Sequence, residues 1–377
     1  MLKILNVIGA RPNIMKVAPL MTAMKRRERE FTPLLIHTGQ HYDAAMSGAF
    51  LRELELPAPD AHLEVGSASH AAQTAAVMQR FEPVVLREQP DWVLVVGDVN
   101  STLACALVCA KLGVRLGHVE AGLRSRDRSM PEEINRILTD QVADLLFTPS
   151  RDANDNLLRE GIPPERIKFV GNIMIDSLVK HLPQAKQSKI ADELGVAGRD
   201  YAVLTLHRPS NVDNRETLLR LVQTFAEIAQ RLPVIFPVHP RTRKSIADFG
   251  LNDEVDKSGL RMIEPLAYLD FLKLYSGARL VLTDSGGIQE ETTFLGIPCL
   301  TLREETERPI TVEMGTNIVV GADPQKIKST VFAALDQPRA TPKRVPPLWD
   351  GKTADRILDA LVHAEHKLQF VESWSGS

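Results

Sequence analysis

The chain has 377 residues, of which 44% are hydrophobic and 25% charged, and a formal net charge of -3. At ~100–200 residues per domain this length implies two domains, and the near-neutral balance excludes a general attraction to nucleic acid or to a membrane surface. Three cysteines are too few for a disulfide framework, and no apolar run approaches the ~18 residues of a membrane span.

In chain order, Lys3 to Ile8 reads as a strand that Gly9-Ala10-Arg11-Pro12 turns into a helix carrying Ile14, Val17, Leu20, Met21 and Met24. A strand so close to the start, followed by Arg11 and Lys16, is not a secretion signal, so a reducing cytoplasm is expected. Further strand and helix pairs follow: Pro33 to His37 before the loop Thr38-Gly39-Gln40-His41-Tyr42-Asp43, a helix from Ala71 to Arg87, Trp92 to Val96 with a helix from Ser101, Arg115 to Val119 with a helix from Pro131, and Leu145 to Thr148 with a helix after Ser150. Cys105 and Cys109 fall on an apolar helical stretch as buried thiols, and Cys299 in a strand. After Ile167 to Val170 the pattern loosens between Pro183 and Arg199, which suggests domains over 1–182 and 183–352 and a last helix and tail, 353–377, that returns towards the first domain. The second series runs Tyr201 to Leu206, a helix from Arg215 to Arg231, Val234 to Val238, Leu260 to Ile263, Leu280 to Thr283 and Cys299 to Leu302. Ala340 to Pro347 is expected to cross back, ahead of an amphipathic helix from Thr353 to Leu368. Strands alternating with helices throughout give an α/β class, two doubly wound parallel sheets.

Open parallel sheets place their ligands at the carboxyl ends of strands. Asp98 follows the run Trp92 to Val96 and Glu120 follows Arg115 to Val119, so two consecutive strands deliver an acid to one sheet edge. The stretch from Glu120 to Arg136 then carries four arginines and three glutamates, with Glu132 and Glu133 in the first turn of the helix that Pro131 opens. Taken alone, that run reads as a solvated, salt-bridged loop. In Thr283-Asp284-Ser285-Gly286-Gly287-Ile288-Gln289-Glu290-Glu291 a strand ends, two glycines admit close approach and a helix begins, a place for a pyrophosphate. The plain alternative is a helix start capped by Ser285. Glu290 and Glu291 could hold two ribose hydroxyls, while Arg11, Lys16, His207, Arg208 and Arg308 are the basic groups for a diphosphate. His239 ranks lower, as an interdomain or capping residue. Neither Gly-x-Gly-x-x-Gly nor a P-loop occurs, and no metal-ligand spacing is present, so neither a dinucleotide cofactor nor a metal is expected.

Eight ordered motifs carry a resemblance: Gly9-Ala10-Arg11-Pro12 with Lys16, Thr38-Gly39-Gln40-His41, Gly97-Asp98, His118 to Arg124, Pro131-Glu132-Glu133-x-Asn135-Arg136, His207-Arg208, Asp284 to Glu291 and Glu307-Arg308-Pro309. Together they resemble the non-hydrolysing UDP-N-acetylglucosamine 2-epimerases over nearly the whole chain. The resemblance implies a GT-B-like fold of two Rossmann-like domains with a central cleft, no cofactor, a UDP-sugar as ligand and a homodimer. It also implies that Asp98, Glu120 and Glu132 are catalytic acids. His207 completes the catalytic set by holding the diphosphate with Arg11, and Lys16 lies near it. Arg208, Ser285, Gly286 and Gly287 would add nucleotide contacts, Glu291 the ribose contact, Phe271 a wall against uracil and Arg308 another anchor. The chain departs from the family pattern where Pro209-Ser210-Asn211 follows His-Arg and where Leu266 replaces a glutamine.

The chemistry this implies is demanding, because the hydrogen on sugar carbon 2 lies beside no carbonyl. Departure of UDP from carbon 1 would activate it, giving 2-acetamidoglucal, which re-protonation from the opposite face and return of UDP would convert to the epimer. Rival readings are a GT-B glycosyltransferase with a UDP-sugar donor, a hydrolysing epimerase, a nucleotide-sugar sensor, or an epimerase of a modified uronic-acid or diacetamido sugar. Some family members bind a second substrate molecule through Gln-His-Arg-Gln and a downstream arginine. Here Gln40-His41-Tyr42-Asp43 and the arginine-free Gly66 to Thr74 lead us to expect weak or absent activation by substrate.

Overall fold

The computed structural model describes residues 1–40, 51–338 and 345–375, with side chains up to Glu365. Two units emerge, one comprising Met1–Ser177 and Pro347–Ser377, the other Leu178–Pro346. The change of unit falls within the helix Ile173–Ala185, earlier than the loosened stretch after Pro183 suggests. Of the expected crossing segment, residues 340–344 lie outside the described residues, as do His41, Tyr42 and Asp43.

The first unit is built on seven strands: β1 (Leu2–Ile8), β2 (Phe31–His37), β3 (Ala61–His62), β4 (Trp92–Val96), β5 (Leu116–Val119), β6 (Leu145–Thr148) and β7 (Ile167–Phe169). They lie in the order β3-β2-β1-β4-β5-β6-β7 and every pairing is parallel. All five residues of β4 are buried, as a strand covered by helices on both faces requires. The helix Arg11–Arg26 buries Ile14, Val17, Leu20, Met21 and Met24 on one side and carries Lys25 and Arg26 in its last turn, where cations suit the helix dipole. Cys105 and Cys109 are fully buried in the helix Asn100–Leu112.

The second unit has β8 (Ala202–Thr205), β9 (Val234–Pro237), β10 (Arg261–Ile263), β11 (Leu280–Thr283), β12 (Cys299–Thr301) and β13 (Asn317–Val319), in the order β10-β9-β8-β11-β12-β13. These pairings are parallel too. Both sheets therefore start centrally, run outward to one edge, and return to fill the other, which is the doubly wound, Rossmann-like arrangement expected. Each has one switch point, between β1 and β4 and between β8 and β11, and ligands bind such folds at the strand carboxyl ends there. The sequence reading names neither β3, β13 nor the helices Tyr268–Ser276 and Pro324–Asp336. The first two are two- and three-residue edge strands, too short for alternation to register.

The chain's last helix, Thr353–Ser375, belongs with the first unit. Asp176 accepts the Thr353 and Ala354 backbone N–H groups at 3.1 and 2.8 Å, satisfying donors that a helix start leaves open. Ile357, Leu358 and Leu361 are fully buried, and Trp349 Nε1 donates to Pro149 O at 2.9 Å. Among the described residues no helix is long and apolar enough to cross a membrane.

Candidate active site

In the first unit the switch point is closed by Asn13, whose Oδ1 accepts the Gly9 and Ala10 N–H groups while its Nδ2 donates to Val96 O at 2.9 Å. This ties the end of β1 to the end of β4, where Gly97 and Asp98 follow. Gly97 has φ +66°, and a Cβ there would stand 2.9 Å from Lys16 Nζ, so both backbone and space call for glycine. Asp98 is partly buried; its carboxylate pairs with Arg136 and its carbonyl accepts from Asn135 Nδ2 at 2.9 Å.

One strand over, Glu120 has φ +71° although it is not glycine, a left-handed conformation costing about 1–3 kcal/mol that surrounding contacts must hold. It is 7% exposed and its Oε1 meets Lys16 Nζ at 2.7 Å, with Lys16 itself buried. A buried ion pair seldom gains stability over apolar packing. Lys16, expected near a diphosphate, is here the partner of an acid.

Glu132 and Glu133 separate sharply. Glu133 is buried and accepts the Ser125 and Arg126 N–H groups at 2.9 and 2.8 Å and Arg136 Nη1 at 2.9 Å, so it organises the loop. Glu132 is half-buried in the first turn of the helix Pro131–Val142 and has no side-chain partner among the described residues. The solvated-loop alternative is thereby corrected for the ends of the run: Arg124, Ser125, Glu133 and Arg136 are buried, because each charge finds a partner that offsets its desolvation. Only Arg126, Arg128 and Ser129 are exposed.

Beneath the acids lies a group that the sequence reading leaves without a role. His118 and Asp140 are both fully buried, with Nδ1 2.6 Å from Asp140 Oδ1, and the other ring nitrogen is 2.8 Å from Gly97 O. Asp140 also takes Arg124 Nη2 at 2.8 Å and the Gly122 N–H at 3.1 Å. Burial works to raise the Asp140 pKa, but His118 and Arg124 outweigh it and hold the carboxyl below its usual range.

In the second unit Asp284, at the end of β11, closes the switch point. Fully buried, it accepts the His207 and Arg208 N–H groups at 2.9 and 2.8 Å and Asn211 Nδ2 at 3.0 Å, and it faces His207 Nδ1 at 2.8 Å. Burial again pushes its pKa up, and the His207 bond and charge with the backbone donors bring it below the usual carboxylate range. His207 is thus oriented through Nδ1 while about a third of its side chain stays exposed. His239 caps the helix Pro240–Asp248 by accepting the Arg241 N–H.

Ser285 occupies the N-cap of the helix Gly286–Leu295, but its hydroxyl makes no capping bond, so the plain capping alternative does not account for it. A Cβ on Gly286 would lie 2.5 Å from Arg308 Nη1. Arg308 is buried and held by Glu290 at 3.0 Å and Glu307 at 2.6 Å. Glu290, read from sequence with Glu291 as able to hold ribose hydroxyls, pairs here with Arg308. Glu291 accepts from Tyr275 Oη at 2.8 Å, and burial pushes its pKa up to about 7, with Tyr275 opposing and the Glu290 charge adding. Phe271 stands edge-on to Tyr275 at 5.1 Å, on the helix that also supplies Tyr268. Arg11 is exposed at the first turn of its helix, Gly287 follows Gly286, and Arg208 is half-buried beside His207. Gln40 Oε1 is occupied by Ser101, at 3.0 Å from N and 2.8 Å from Oγ.

Sequence reasoning did not assign Lys16 as an acid's partner, nor the contacts made by Glu133, Asn135, Arg136, Asp140, Asp284 and Tyr275. Glu133 and Arg136 sit three apart on a helix, a spacing that pairs side chains and could have been read. The others pair across strands or helices far apart in sequence.

Comparison with known proteins matches residues 23–362 to a family model described as UDP-N-acetylglucosamine 2-epimerase. The UDP-N-acetylglucosamine 2-epimerase of Methanococcus maripaludis is 43% identical over 97% of this chain and 100% of that protein. The UDP-2,3-diacetamido-2,3-dideoxy-D-glucuronate 2-epimerase of Pseudomonas aeruginosa is also 43% identical, over 89% of this chain and 92% of that one. Among solved structures, the Methanocaldococcus jannaschii UDP-GlcNAc 2-epimerase in complex with UDP-GlcNAc and UDP aligns with TM-score 0.88 and 43% identity, covering 96% of this chain and 99% of its own.

Proposed function

The chain belongs to the UDP-N-acetylglucosamine 2-epimerase family, and from that premise we propose that its two sets of residues perform one elimination and re-addition at carbon 2. UDP-N-acetylglucosamine and UDP-N-acetylmannosamine are the substrate pair. The bond between carbon 1 and the β-phosphate oxygen breaks and its electron pair leaves with UDP. A carboxylate takes the carbon 2 hydrogen as a proton, and the carbon–hydrogen electron pair becomes the double bond of 2-acetamidoglucal. A proton then returns from the other face and the phosphate oxygen attacks carbon 1. Asp98, Glu120 and Glu132 provide the acid and base groups, with no individual assignment among them. His207, Arg11, Arg208, Ser285, Gly286, Gly287 and Arg308 receive the negative charge that develops on the departing diphosphate, where cations and free N–H groups lower the barrier most. Glu291 takes the ribose and Phe271 the uracil.

The observation that carries this reading is the pair of acids at one switch point, one of them, Glu120, held in a left-handed backbone against a buried lysine. An equally identical relative acts on a diacetamido uronic-acid sugar, and that supports a second reading in which the sugar is so modified. A reducing cytoplasm fits the three separate buried thiols, and a homodimer supplying a polysaccharide precursor belongs to the same reading. Proton NMR of the chain with UDP-N-acetylglucosamine alone is the test. New UDP-N-acetylmannosamine signals are expected; free N-acetylmannosamine would indicate hydrolysis, and no change, with turnover of the diacetamido uronate instead, would favour the second reading.

A further inference from the structure

We propose that Asp140, acting through His118, is a positioning residue for the acids, fixing the two strand ends that carry Asp98 and Glu120. The proposal rests on the reading of those two residues as acids of the elimination. The geometry is specific. A neutral imidazole donates through only one nitrogen, yet His118 faces an acceptor at each end, Asp140 Oδ1 at 2.6 Å and Gly97 O at 2.8 Å. The ring therefore bridges these two acceptors as a two-ended strut. One end grips the carbonyl immediately before Asp98. The other grips a carboxylate that also holds the N–H of Gly122, two residues beyond Glu120.

The same helix completes the frame. Pro131–Val142 carries Glu132 in its first turn, Asn135 on the Asp98 carbonyl, Arg136 on the Asp98 carboxylate and Asp140 on His118. All three acids are thus referenced to one rigid element. Arg124 also pairs with Asp140, at 2.8 Å, and is itself shared with Glu160 at 2.6 Å, so the groups meeting at this node are His118, Arg124, Asp140 and Glu160. His118 and Asp140 are fully buried and Arg124 is buried, each already engaged by the partners named. Misplacing a reacting group by about 1 Å can cost 10²-fold in rate, and holding Glu120 in a strained backbone requires a frame of this kind.

The test compares Asp140→Asn, His118→Gln and His118→Ala with the unaltered chain, measuring kcat and KM for UDP-N-acetylglucosamine, the Kd of UDP, and the 2-acetamidoglucal released per turnover. Asparagine at 140 keeps the shape but removes the charge, and glutamine at 118 keeps a donor within reach of Gly97 O. Expected are a kcat lowered by about 10- to 100-fold in Asp140→Asn, UDP affinity unchanged, a larger share of released 2-acetamidoglucal because the intermediate waits longer for its proton, and His118→Gln retaining more turnover than His118→Ala. Near-normal kcat in Asp140→Asn, or equal activity in the two His118 variants, overturns the positioning role. Should Asp140→Asn fail to fold, the His118 pair decides alone. Absence of turnover in the unaltered chain would instead overturn the epimerase reading beneath it.

Discussion

Glu120 combines positive φ, burial and a 2.7 Å lysine contact, and Asp98 is tethered from outside its own loop by Arg136. In the proposed elimination both act on the sugar, as does Glu132. Asp98→Asn, Glu120→Gln and Glu132→Gln should each lower kcat by about 100-fold or more, since general acid–base groups contribute 10²–10⁴. UDP should still bind all three, measured by calorimetry, whereas Arg11→Ala should weaken UDP; near-normal turnover in any two of the acid variants would sink the assignment. Glu291 offers a different handle because burial has raised its pKa from the usual 4.5 to about 7. Between those pH values the folded chain holds a proton that the unfolded chain has released, so this group's contribution to stability is fully present below about 4.5 and is lost as pH rises to about 7. Glu291→Gln removes that titration while leaving an acceptor for Tyr275. Urea midpoints measured from pH 4.5 to 7 should therefore fall less steeply in the variant, and an identical slope would show that Glu291 does not titrate there.

At the scale of elements, the places of Asp98, Glu120, His207 and Ser285 were legible in sequence because each follows a buried strand: β4 before Asp98, β5 before Glu120, β8 before His207, β11 before Ser285. The short edge strands β3 and β13 were not, since two or three residues show no period. Nor were Asp140 and Asp284 as organisers, because each of these carboxylates bonds groups from more than one element and the sequence contains only its own. The strand-to-helix turns carry testable steric demands. Gly97→Ala meets both a left-handed backbone, about 1–2 kcal/mol unfavourable for an L residue, and a 2.9 Å approach to Lys16 Nζ. It should disrupt the Lys16–Glu120 pair and lower kcat with little change in UDP affinity. Gly286→Ala crowds Arg308 Nη1 instead and should raise the UDP Kd with the larger effect on KM. Equal kcat and Kd profiles for the two variants would contradict the roles proposed for these two turns.

At the scale of the whole molecule, the last helix stabilises the first unit chiefly by apolar burial. Ile357, Leu358 and Leu361 are fully buried, and burying such side chains is worth about 1.5–3 kcal/mol each. The Arg26–Asp355 and Arg27–Asp359 pairs are exposed on at least one side and contribute about 0–1 kcal/mol. Ending the chain at Lys352 should consequently lower the melting temperature markedly, while Asp359→Asn should hardly move it; calorimetry distinguishes the two. The proposed elimination also leaves a label. If a carboxylate removes the carbon 2 hydrogen and another group returns a proton to the opposite face, the new hydrogen comes from solvent or from a side chain exchanging with it. In heavy water every UDP-N-acetylmannosamine formed should then carry deuterium at carbon 2, read by proton NMR or mass spectrometry. Transient oxidation by a held nicotinamide would normally return the original hydrogen, and the chain lacks the dinucleotide fingerprint for it. Long incubation should also accumulate a little UDP and 2-acetamidoglucal, because an intermediate held only by non-covalent contacts sometimes escapes. Product retaining protium at carbon 2 would rule out the elimination route even with epimerisation intact, since no carboxylate could then have carried that hydrogen as an exchangeable proton.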